Sequence, residues 1–494
     1  MSVSEILVIG MFVTFILFML SGYPIAWVLG GVGIMYTLIG IILVTYFDAD
    51  LFMDWGDTAG LMPERIYATV QNPTLIALPM FIFMGIMLDK SGLAERMIVN
   101  FTRLFGGIPG GMAITVVAIG IILAATTGIV GASVTLLGTL SLPIMLKRNY
   151  DKSFATGVIC SAGTLGILIP PSIMLVIMAD QAYVEKAELG TSIGDLFAGA
   201  ILPGLLLGGL YIVYIVIIAS LDKTKAPMPN DVEKVTLKVV INALAAVGPP
   251  AFLIFIVLGS ILFGFATITE SSGIGAVGAI LLYGINSYQS KSFSFQVIKS
   301  TLYQSTRTTG FIFAILVGAS VFSIVLRGLG GDEVIERAIA ALPFGPNGKV
   351  IFILTVVFIL GFFLDWVEIT LIILPLVANP IVNLGFNLTW FLILFAVCLQ
   401  TSFLTPPVGF SLFYIKGVAP PTVQLKHIYK GVIPFIIMQL IGLSAVFYWE
   451  SLSTKLPCDF YNQRKDGTYI GDYCQNRYGA IQLERSDSRM ADRQ

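Results

Sequence analysis

Charged residues are scarce in this sequence of 494 residues. Aspartate, glutamate, lysine and arginine make up 12% of the chain, whereas 56% is hydrophobic and the mean hydropathy is +0.91. Ordinary soluble domains carry roughly 25% charged residues. The formal net charge is −1, so the basic excess typical of nucleic-acid-binding proteins is missing. Because apolar runs long enough to cross a bilayer recur along the whole chain, the composition predicts a polytopic α-helical membrane protein.

Histidine and cysteine are also rare, and their shortage narrows the chemistry available to the chain. The sequence has one histidine, His427, and four cysteines, of which Cys160 and Cys398 lie in apolar runs. None of these residues has the spacing of a zinc site. We find no P-loop and no Ser/His/Asp arrangement in the sequence. The sequence therefore predicts neither an enzyme nor a cofactor.

Apolar runs predict ten membrane spans and two longer apolar segments. The spans lie at about 5–20, 24–45, 74–88, 153–179, 196–219, 242–263, 270–287, 308–327, 388–417 and 429–449. The two longer segments, 111–146 and 350–385, carry glycine and polar residues in their middle. Each could form two full spans, but we favour a hairpin that enters the membrane and returns on the same side.

Positive charge falls mainly on one side of the predicted membrane. Gaps on that side hold most lysines and arginines, including Lys90, Arg148 and Lys299. Outside the C-terminal tail, the opposite gaps hold Arg65, Lys186, Arg327, Arg337 and Lys349. Cytoplasmic loops are rich in lysine and arginine, so the first side is predicted to be cytoplasmic. Both termini and an acidic loop at 46–66 are then predicted to be periplasmic.

Two tandem proline pairs interrupt apolar runs at corresponding places. Pro170-Pro171 and Pro406-Pro407 lie about 236 residues apart, and each follows a stretch containing threonine and serine. The apolar segments upstream reach Pro143 and Pro375, which lie about 232 residues apart. The same order at nearly the same offset predicts an inverted-topology repeat, an architecture common in secondary transporters. Hairpins at 111–146 and 350–385 preserve this symmetry.

The predicted fold class is an all-α polytopic membrane protein of about ten spans and two re-entrant helix hairpins, in two inverted-topology repeats. The first repeat covers residues 1–238, with a hairpin at 111–146 that enters from the cytoplasm and a broken helix at 153–179. The second covers 239–450, with a hairpin at 350–385 that enters from outside and a broken helix at 388–417. Residues 451–494 are predicted to form a periplasmic tail.

The helix breaks have a predicted chemical use. Proline removes a backbone donor, and free backbone groups at membrane depth are tolerated only where they are buried in protein or line a wet cavity. Carbonyl groups at the C-terminus of a half-helix attract cations, whereas N-terminal amides attract anions. Hydroxyl groups that could complete an oxygen shell belong to Ser161, Thr164, Thr401, Ser402 and Thr405. The alternative is a proline kink, with serine and threonine bonding back to their own helix.

Three acidic residues in or beside apolar segments have different predicted roles. Asp365 and Glu368 lie inside an apolar segment, where a carboxylate is costly and is usually functional. Pairing with the amides of their own loop is the alternative for these two residues. Glu270 follows Thr267 at the start of a span, and there we predict a helix cap.

Seven ordered motifs resemble the large membrane subunit of tripartite ATP-independent periplasmic (TRAP) transporters. They are "NPTLIALPMFIFMGIML", "TGIVGASVTLLGTLSLPIMLKRNYD", "GTLGILIPPSI", "SIGDLFAGAILPGLLLG", "FATITESSGIGAVGA", "GFFLDWVEITLIILPL" and "TSFLTPPVGFSLFYIKGVAPP", and the resemblance covers about 5–450. It implies an elevator-type transporter in the inner membrane, which takes up an organic acid with sodium as the coupling ion. It also implies two partners, a small four-helix membrane subunit and a periplasmic solute-binding protein.

The resemblance further implies two sodium sites, each formed by a hairpin tip and a helix break, with substrate between them. The first is assigned to Thr127, Gly128, Gly131, Ser133, Ser161, Gly163, Thr164 and Gly166. The second is assigned to Asp365, Glu368, Thr370, Gln400, Thr401, Ser402 and Thr405, and the breaks contain Pro170, Pro171, Pro406 and Pro407. The first tip has fewer hydroxyl groups than many relatives, which implies more ligation by backbone carbonyls.

Two other functions are considered alongside transport by a symporter. A passive channel explains broken helices but not two opposed hairpins. A membrane-embedded enzyme lacks the histidine or paired-aspartate machinery, although Asp365 and Glu368 keep that alternative open.

The tail carries one further prediction. Cys458 and Cys474 flank a "KDG" turn signal, and the strand-like runs "DFYNQ" and "TYIGDY" could bring the two thiols together as a disulfide. A tail with free thiols is the alternative.

Overall fold

The computed structural model describes residues 2–47, 55–182, 190–227 and 235–462, and regular structure within these ranges is helical throughout. The first half contains α1 (Val3–Leu20), α2 (Ile25–Phe47), α3 (Trp55–Gln71), α4 (Ala77–Lys90), α5 (Leu93–Phe105), α6 (Gly111–Thr127), α7 (Val130–Lys147), α8 (Lys152–Thr164), α9 (Ile173–Gln181) and α10 (Ile193–Leu221). A 3₁₀ helix, Pro73–Ile76, leads into α4, and another, Leu165–Ile167, follows α8.

The second half repeats much of this order. It contains α11 (Leu237–Leu262), α12 (Ile268–Gln289), α13 (Phe295–Gly328), α14 (Gly331–Ala340), α15 (Pro346–Leu360), α16 (Trp366–Ile372), α17 (Leu374–Asn383), α18 (Leu388–Leu404), α19 (Phe410–Val418), α20 (Leu425–Tyr448) and α21 (Ser451–Asn462). Within the described ranges, nine helices are long and apolar enough to cross a membrane, or ten if α16 and α17, bent by 54°, count as one span.

Both predicted hairpins and both predicted helix breaks are present. Helices α6 and α7 form the first hairpin, and α15 with α16 and α17 forms the second. The chain breaks between α8 and α9 and again between α18 and α19, and each break contains a cis Pro-Pro bond. The predicted all-α fold with two inverted-topology repeats is therefore confirmed.

Each half also contains a short amphipathic helix between a span and its hairpin. These are α5 in the first half and α14 in the second, and both have acidic residues in the first turn and an arginine in the last turn. That charge order matches the helix dipole. Hydropathy did not predict either helix, because both are short and carry several charges.

Two segments were assigned wrongly from the sequence. Part of the predicted acidic loop at 46–66 is helical, because α3 begins at Trp55, and α3 packs on α2 and α13. The predicted strand "DFYNQ" is also wrong up to residue 462, since α21 extends to Asn462 and packs on α10 and α18. The "TYIGDY" strand and Cys474 lie outside the described residues, so the disulfide stays a prediction.

Helix caps explain where two spans begin. Thr267 and Glu270 form a reciprocal capping box at the start of α12, in which Thr267 Oγ1 accepts from the Glu270 amide at 3.3 Å. The predicted capping role of Glu270 is therefore confirmed. Ser192 and Asp195 form the same motif at the start of α10, where Asp195 is buried. A box of this kind satisfies amides that would otherwise be unpaired at a helix start.

The buried core is centred on the two broken helices. Every residue of α18 is buried, and in α8 only Lys152 is partly exposed. Helix α20 of the second half packs directly on α8 of the first. At this crossing a β-carbon on Gly157 would lie 2.1 Å from the Gly431 carbonyl oxygen. The two halves therefore interlock through a contact that only glycine allows.

Candidate functional site

The tip of the first hairpin touches the first helix break. Helix α6 ends at Thr127, and Gly128 turns the chain with φ of 60°, a conformation that favours glycine. A β-carbon on Gly128 would lie 3.1 Å from the backbone nitrogen of Ile173, the first residue of α9. The side chain of Thr127 lies outside what the structure describes. The predicted pairing of this tip with this break is therefore seen in the backbone.

The return arm of the same hairpin lies close against the end of α8. A β-carbon on Gly163 would lie 2.4 Å from Val134 Cγ2 and 3.0 Å from the Val134 backbone, so the close approach of the two helices depends on glycine at this position. Ser133 is buried one residue earlier on α7, and Gly166 is buried in the 3₁₀ turn that follows α8. These residues of the predicted first site thus occupy one compact region.

Four of the predicted ligand hydroxyl groups bond back to their own helices. Ser161 Oγ donates to the Gly157 carbonyl at 2.9 Å, and Thr164 Oγ1 donates to the Ser161 carbonyl at 2.9 Å. In the second half, Thr401 donates to the Val397 carbonyl at 2.8 Å, and Thr405 to the Thr401 carbonyl at 2.7 Å. This is the pattern expected of a proline kink. The hydroxyl oxygens of Ser161, Thr401 and Thr405 keep lone pairs that can bind a cation.

The tip of the second hairpin carries buried oxygen atoms that lack partners. Asp365 caps α16 and accepts from the Trp366 amide at 2.8 Å. Glu368 Oε2 and Thr370 Oγ1 have no hydrogen-bond partner, although both side chains are buried. The charge on Asp365 acts on Glu368, so the two carboxylates are close neighbours. Leaving a buried charge unpaired costs several kcal/mol, and this tip is therefore suited to a hard cation.

Each return arm packs on the second half-helix of the opposite repeat. Helix α7 packs on α19, and α16 packs on α9. The outgoing arm of the second hairpin instead meets its own break, where Ser402 Oγ donates to the Phe358 carbonyl at 2.8 Å. The second predicted site is thus divided. Ser402 contacts the outgoing arm, while Glu368 and Thr370 lie on a helix that packs on α9.

Tyr414 on α19 lies between the two hairpin tips and was not predicted. A β-carbon on Gly131 would lie 2.7 Å from the Tyr414 ring, which fixes the ring against the first tip. The carboxylates of Asp365 and Glu368, on the second tip, are near enough to act on its hydroxyl group. The side chain is also 41% exposed. Tyr414 therefore lies against the first hairpin tip, with part of its surface exposed, and near the carboxylates of the second.

Four buried polar side chains meet between the two halves, and we call Thr164, Tyr211, Gln400 and Gln439 the central cluster. Thr164 Oγ1 accepts from the Nε2 atoms of Gln400 and Gln439, each at 3.4 Å. The Tyr211 hydroxyl lies near the other three side chains, outside hydrogen-bonding geometry. All four side chains are fully buried.

The central cluster joins residues that the sequence assigned to separate sites. Thr164 lies six residues before Pro170, and Gln400 lies six residues before Pro406, so they occupy equivalent places in the two repeats. Tyr211 and Gln439 come from α10 and α20, the helices that close the two halves. Their contribution was missed because an isolated polar residue in a long apolar helix gives no local signal of its neighbours.

Comparison with known proteins places the chain in a transporter family. Residues 12–452 match the family model described as "Tripartite ATP-independent periplasmic transporter, DctM component". The chain is 30% identical over 470 residues to the C4-dicarboxylate TRAP transporter large permease protein DctM of Vibrio cholerae, covering 92% of this chain and 96% of that protein. It is 29% identical to the ectoine/5-hydroxyectoine TRAP transporter large permease protein UehC of Ruegeria pomeroyi, covering 88% and 96%.

One further relative and one solved structure extend the comparison. The isethionate TRAP transporter permease protein DctMQ of Oleidesulfovibrio alaskensis is 26% identical, and the match covers 79% of this chain and 60% of that protein. Among solved structures, the YdaH transporter of Alcanivorax borkumensis has the same fold, with a TM-score of 0.61 at 12% identity, covering 87% of this chain and 99% of that one. Since the family model spans nearly the whole helical bundle, the chain belongs to the DctM component family of tripartite ATP-independent periplasmic transporters.

Proposed function

We propose that this chain takes up an organic acid, a dicarboxylate, keto acid or similar carboxylate, across the bacterial inner membrane in symport with sodium. The observation that carries the proposal is the pair of unpartnered buried oxygens at the second hairpin tip, Glu368 Oε2 and Thr370 Oγ1. Both atoms are hard oxygen ligands of the kind that bind alkali and alkaline-earth cations. A bound sodium ion would also offset the negative charge that two neighbouring carboxylates place beside an anionic substrate.

The substrate is proposed to bind between the two hairpin tips, beside Tyr414. The Tyr414 phenol can donate a hydrogen bond to a carboxylate, and the Tyr414 ring already contacts the first tip. Relatives named for C4-dicarboxylates, isethionate and ectoine support a small polar substrate class. The binding protein that delivers the substrate is proposed to select the member of that class.

The working complex is proposed to contain a small four-helix membrane subunit and a periplasmic solute-binding protein. Family membership supports this assignment, and one relative is named as a DctMQ permease. The excess of lysine and arginine in one set of loops supports placing both termini in the periplasm. A periplasmic partner would then approach the face that carries α3.

Reconstitution of all three proteins in liposomes tests the proposal. An inward sodium gradient should drive uptake, whereas a potassium gradient of equal size should not. Thr370→Val removes one neutral oxygen ligand and should weaken the sodium dependence by about 1–2 kcal/mol, roughly tenfold in half-saturating sodium. Thr355→Val is the matched control, because Thr355 lies exposed on α15 of the same hairpin.

The same liposomes distinguish a symporter from a passive channel. A symporter exchanges external labelled substrate for internal unlabelled substrate, whereas a channel shows linear conductance and no counterflow. Equal uptake under sodium and potassium gradients would contradict sodium coupling. Linear conductance without counterflow would contradict transport by alternating access.

A further inference from the structure

A polar cavity lies at the end of the bundle, away from both hairpin tips. It has a volume of about 700 Å³ and is formed where α4 turns into α5 and where α12 turns into α13. Its lining includes Lys90, Glu95, Arg96, Asn286 and Gln289. The cavity is larger than a single inorganic anion requires, and its volume falls in the range of ligand pockets, roughly 300–1,000 Å³.

Both basic side chains in this cavity are held by neutral oxygen atoms. The Arg96 guanidinium donates to Asn286 Oδ1, and also to Gln289 Oε1 at 3.3 Å. Lys90 Nζ donates to Ser300 Oγ at 3.1 Å. These contacts orient the two cations and use only part of their capacity, since arginine has five N–H donors and lysine has three. The remaining donors are available to an anionic ligand.

The backbone adds to the attraction for an anion. Helix α5 begins at the cavity, because its N-terminal residue Gly92 and the first-turn residues Glu95 and Arg96 all line it. The N-cap residue Gly92 has φ of 75° and no side chain, and Ser91 Oγ accepts from the Leu93 amide at 3.2 Å. A helix N-terminus carries partial positive charge, which adds to that of the two side chains.

The cavity is positioned at the boundary between membrane and water. Two of its elements, Pro73–Lys90 and Ile268–Gln289, are candidate membrane spans that end there. Aromatic side chains next to it are exposed, with Tyr288 at 85% and Phe295 at 70%. Exposed aromatic residues at the ends of spans are typical of the headgroup level of a bilayer. Phe293, also exposed, contacts the Tyr283 ring in the cavity wall at 5.7 Å between centroids.

We propose that this cavity binds the headgroup of an ethanolamine phospholipid. In this proposal the phosphate diester contacts Lys90 and Arg96. The headgroup ammonium contacts Glu95, the acidic residue in the cavity lining. The acyl chains lie along the exposed aromatic side chains. Asp89, which precedes Lys90, is not among the residues that line the cavity, and its Oδ1 atom is buried. The proposal does not depend on sodium coupling or on the identity of the transported substrate.

Native mass spectrometry of the full chain tests the proposal. The protein is extracted in mild detergent and exposed to nanodiscs of phosphatidylcholine with either phosphatidylethanolamine or phosphatidylglycerol. The wild-type chain should retain one ethanolamine lipid in preference to the glycerol lipid. Lys90→Gln with Arg96→Gln should lower that occupancy at least tenfold. Arg103→Gln is the control, because Arg103 lies on the same helix α5 and does not line the cavity.

A milder variant separates headgroup recognition from folding. Glu95→Gln should keep a lipid bound but remove the preference for ethanolamine over glycerol. If the double variant does not fold, the lipid preference of Glu95→Gln still tests whether the cavity recognises the ethanolamine headgroup. Unchanged ethanolamine occupancy in the double variant would overturn the proposal, as would an unchanged preference in Glu95→Gln. Release of the lipid by millimolar inorganic phosphate would also overturn it, because the cavity would then be a site for a soluble anion.

Discussion

The contact between α8 and α20 gives the sharpest prediction about stability. A β-carbon on Gly431 would lie 1.9 Å from the Ser153 carbonyl oxygen, and one on Gly157 would lie 2.1 Å from the Gly431 carbonyl oxygen. Both obstacles are backbone atoms, which cannot rotate away as a side chain can. Gly431→Ala therefore forces the two helices apart at the centre of the buried core.

The size of the effect follows from two opposing contributions. Replacing glycine by alanine inside a helix favours the helix by about 1 kcal/mol. Overpacking a close-packed interior typically costs about 1–3 kcal/mol and sometimes more. Since this overlap is with backbone, we expect the upper part of that range and a net loss of roughly 2 kcal/mol. Gly209→Ala is the matched control, because Gly209 also lies inside a helix and a β-carbon there would have nothing within 4 Å.

Buried cysteines provide the assay. Cys160 lies on α8, three residues from Gly157, and Cys398 lies on α18, and both thiols are free and buried. A thiol-reactive fluorescent dye reports their exposure as detergent-solubilised protein is heated. Gly431→Ala should lower the midpoint by several degrees, whereas Gly209→Ala should leave it unchanged or raise it. Equal midpoints for the two variants would show that the close approach of α8 and α20 is not a constraint.

Three further predictions concern transport. Thr164→Val should weaken the sodium dependence of uptake more than Thr405→Val, because it also removes the acceptor shared by the amides of Gln400 and Gln439. Titration of uptake with sodium measures this difference. Equal shifts in half-saturating sodium for the two variants would show that the central cluster has no role in sodium binding. Tyr414→Phe should raise the substrate concentration for half-maximal uptake with little change in maximal rate, and an unchanged value would remove the phenol from the substrate site. The chain without its small subunit and binding protein should show only background uptake, and full sodium-dependent uptake would contradict a tripartite complex.

The hairpins and helix breaks could be predicted because their sequence signals are local. A Pro-Pro pair disfavours a continuous helix, although α11 does continue through Pro249 and Pro250, and the pairs at the two breaks are distinguished by the glycine, serine and threonine residues before them. Gly128 between two apolar arms marks a turn without any knowledge of the fold. Glu270 could be assigned for the same reason, since a capping box spans only four residues.

Contacts between distant parts of the chain could not be predicted from such signals. Tyr414 of the second repeat contacts the first hairpin tip, and Gln439 contacts Thr164, only because the two repeats pack against each other. The short helices α3, α5 and α14 were missed for another reason. Their charged residues lower the hydropathy of any window long enough to detect a span.

Helix α13 is longer than the hydrocarbon core of a bilayer is thick. The helix has 34 residues and therefore rises about 51 Å, whereas the hydrocarbon core of a bilayer is about 30 Å thick. Its first turn is joined to the end of α12, since Tyr283 Oη donates to the Ser294 carbonyl at 2.9 Å. The apolar part of α13, 308–327, covers about 30 Å and therefore matches the thickness of the hydrocarbon core. The polar first part, which contains Lys299 and Arg307, must then extend about 20 Å beyond the hydrocarbon, so α13 carries the packing of the bundle on α2 and α4 out to the headgroups and past them.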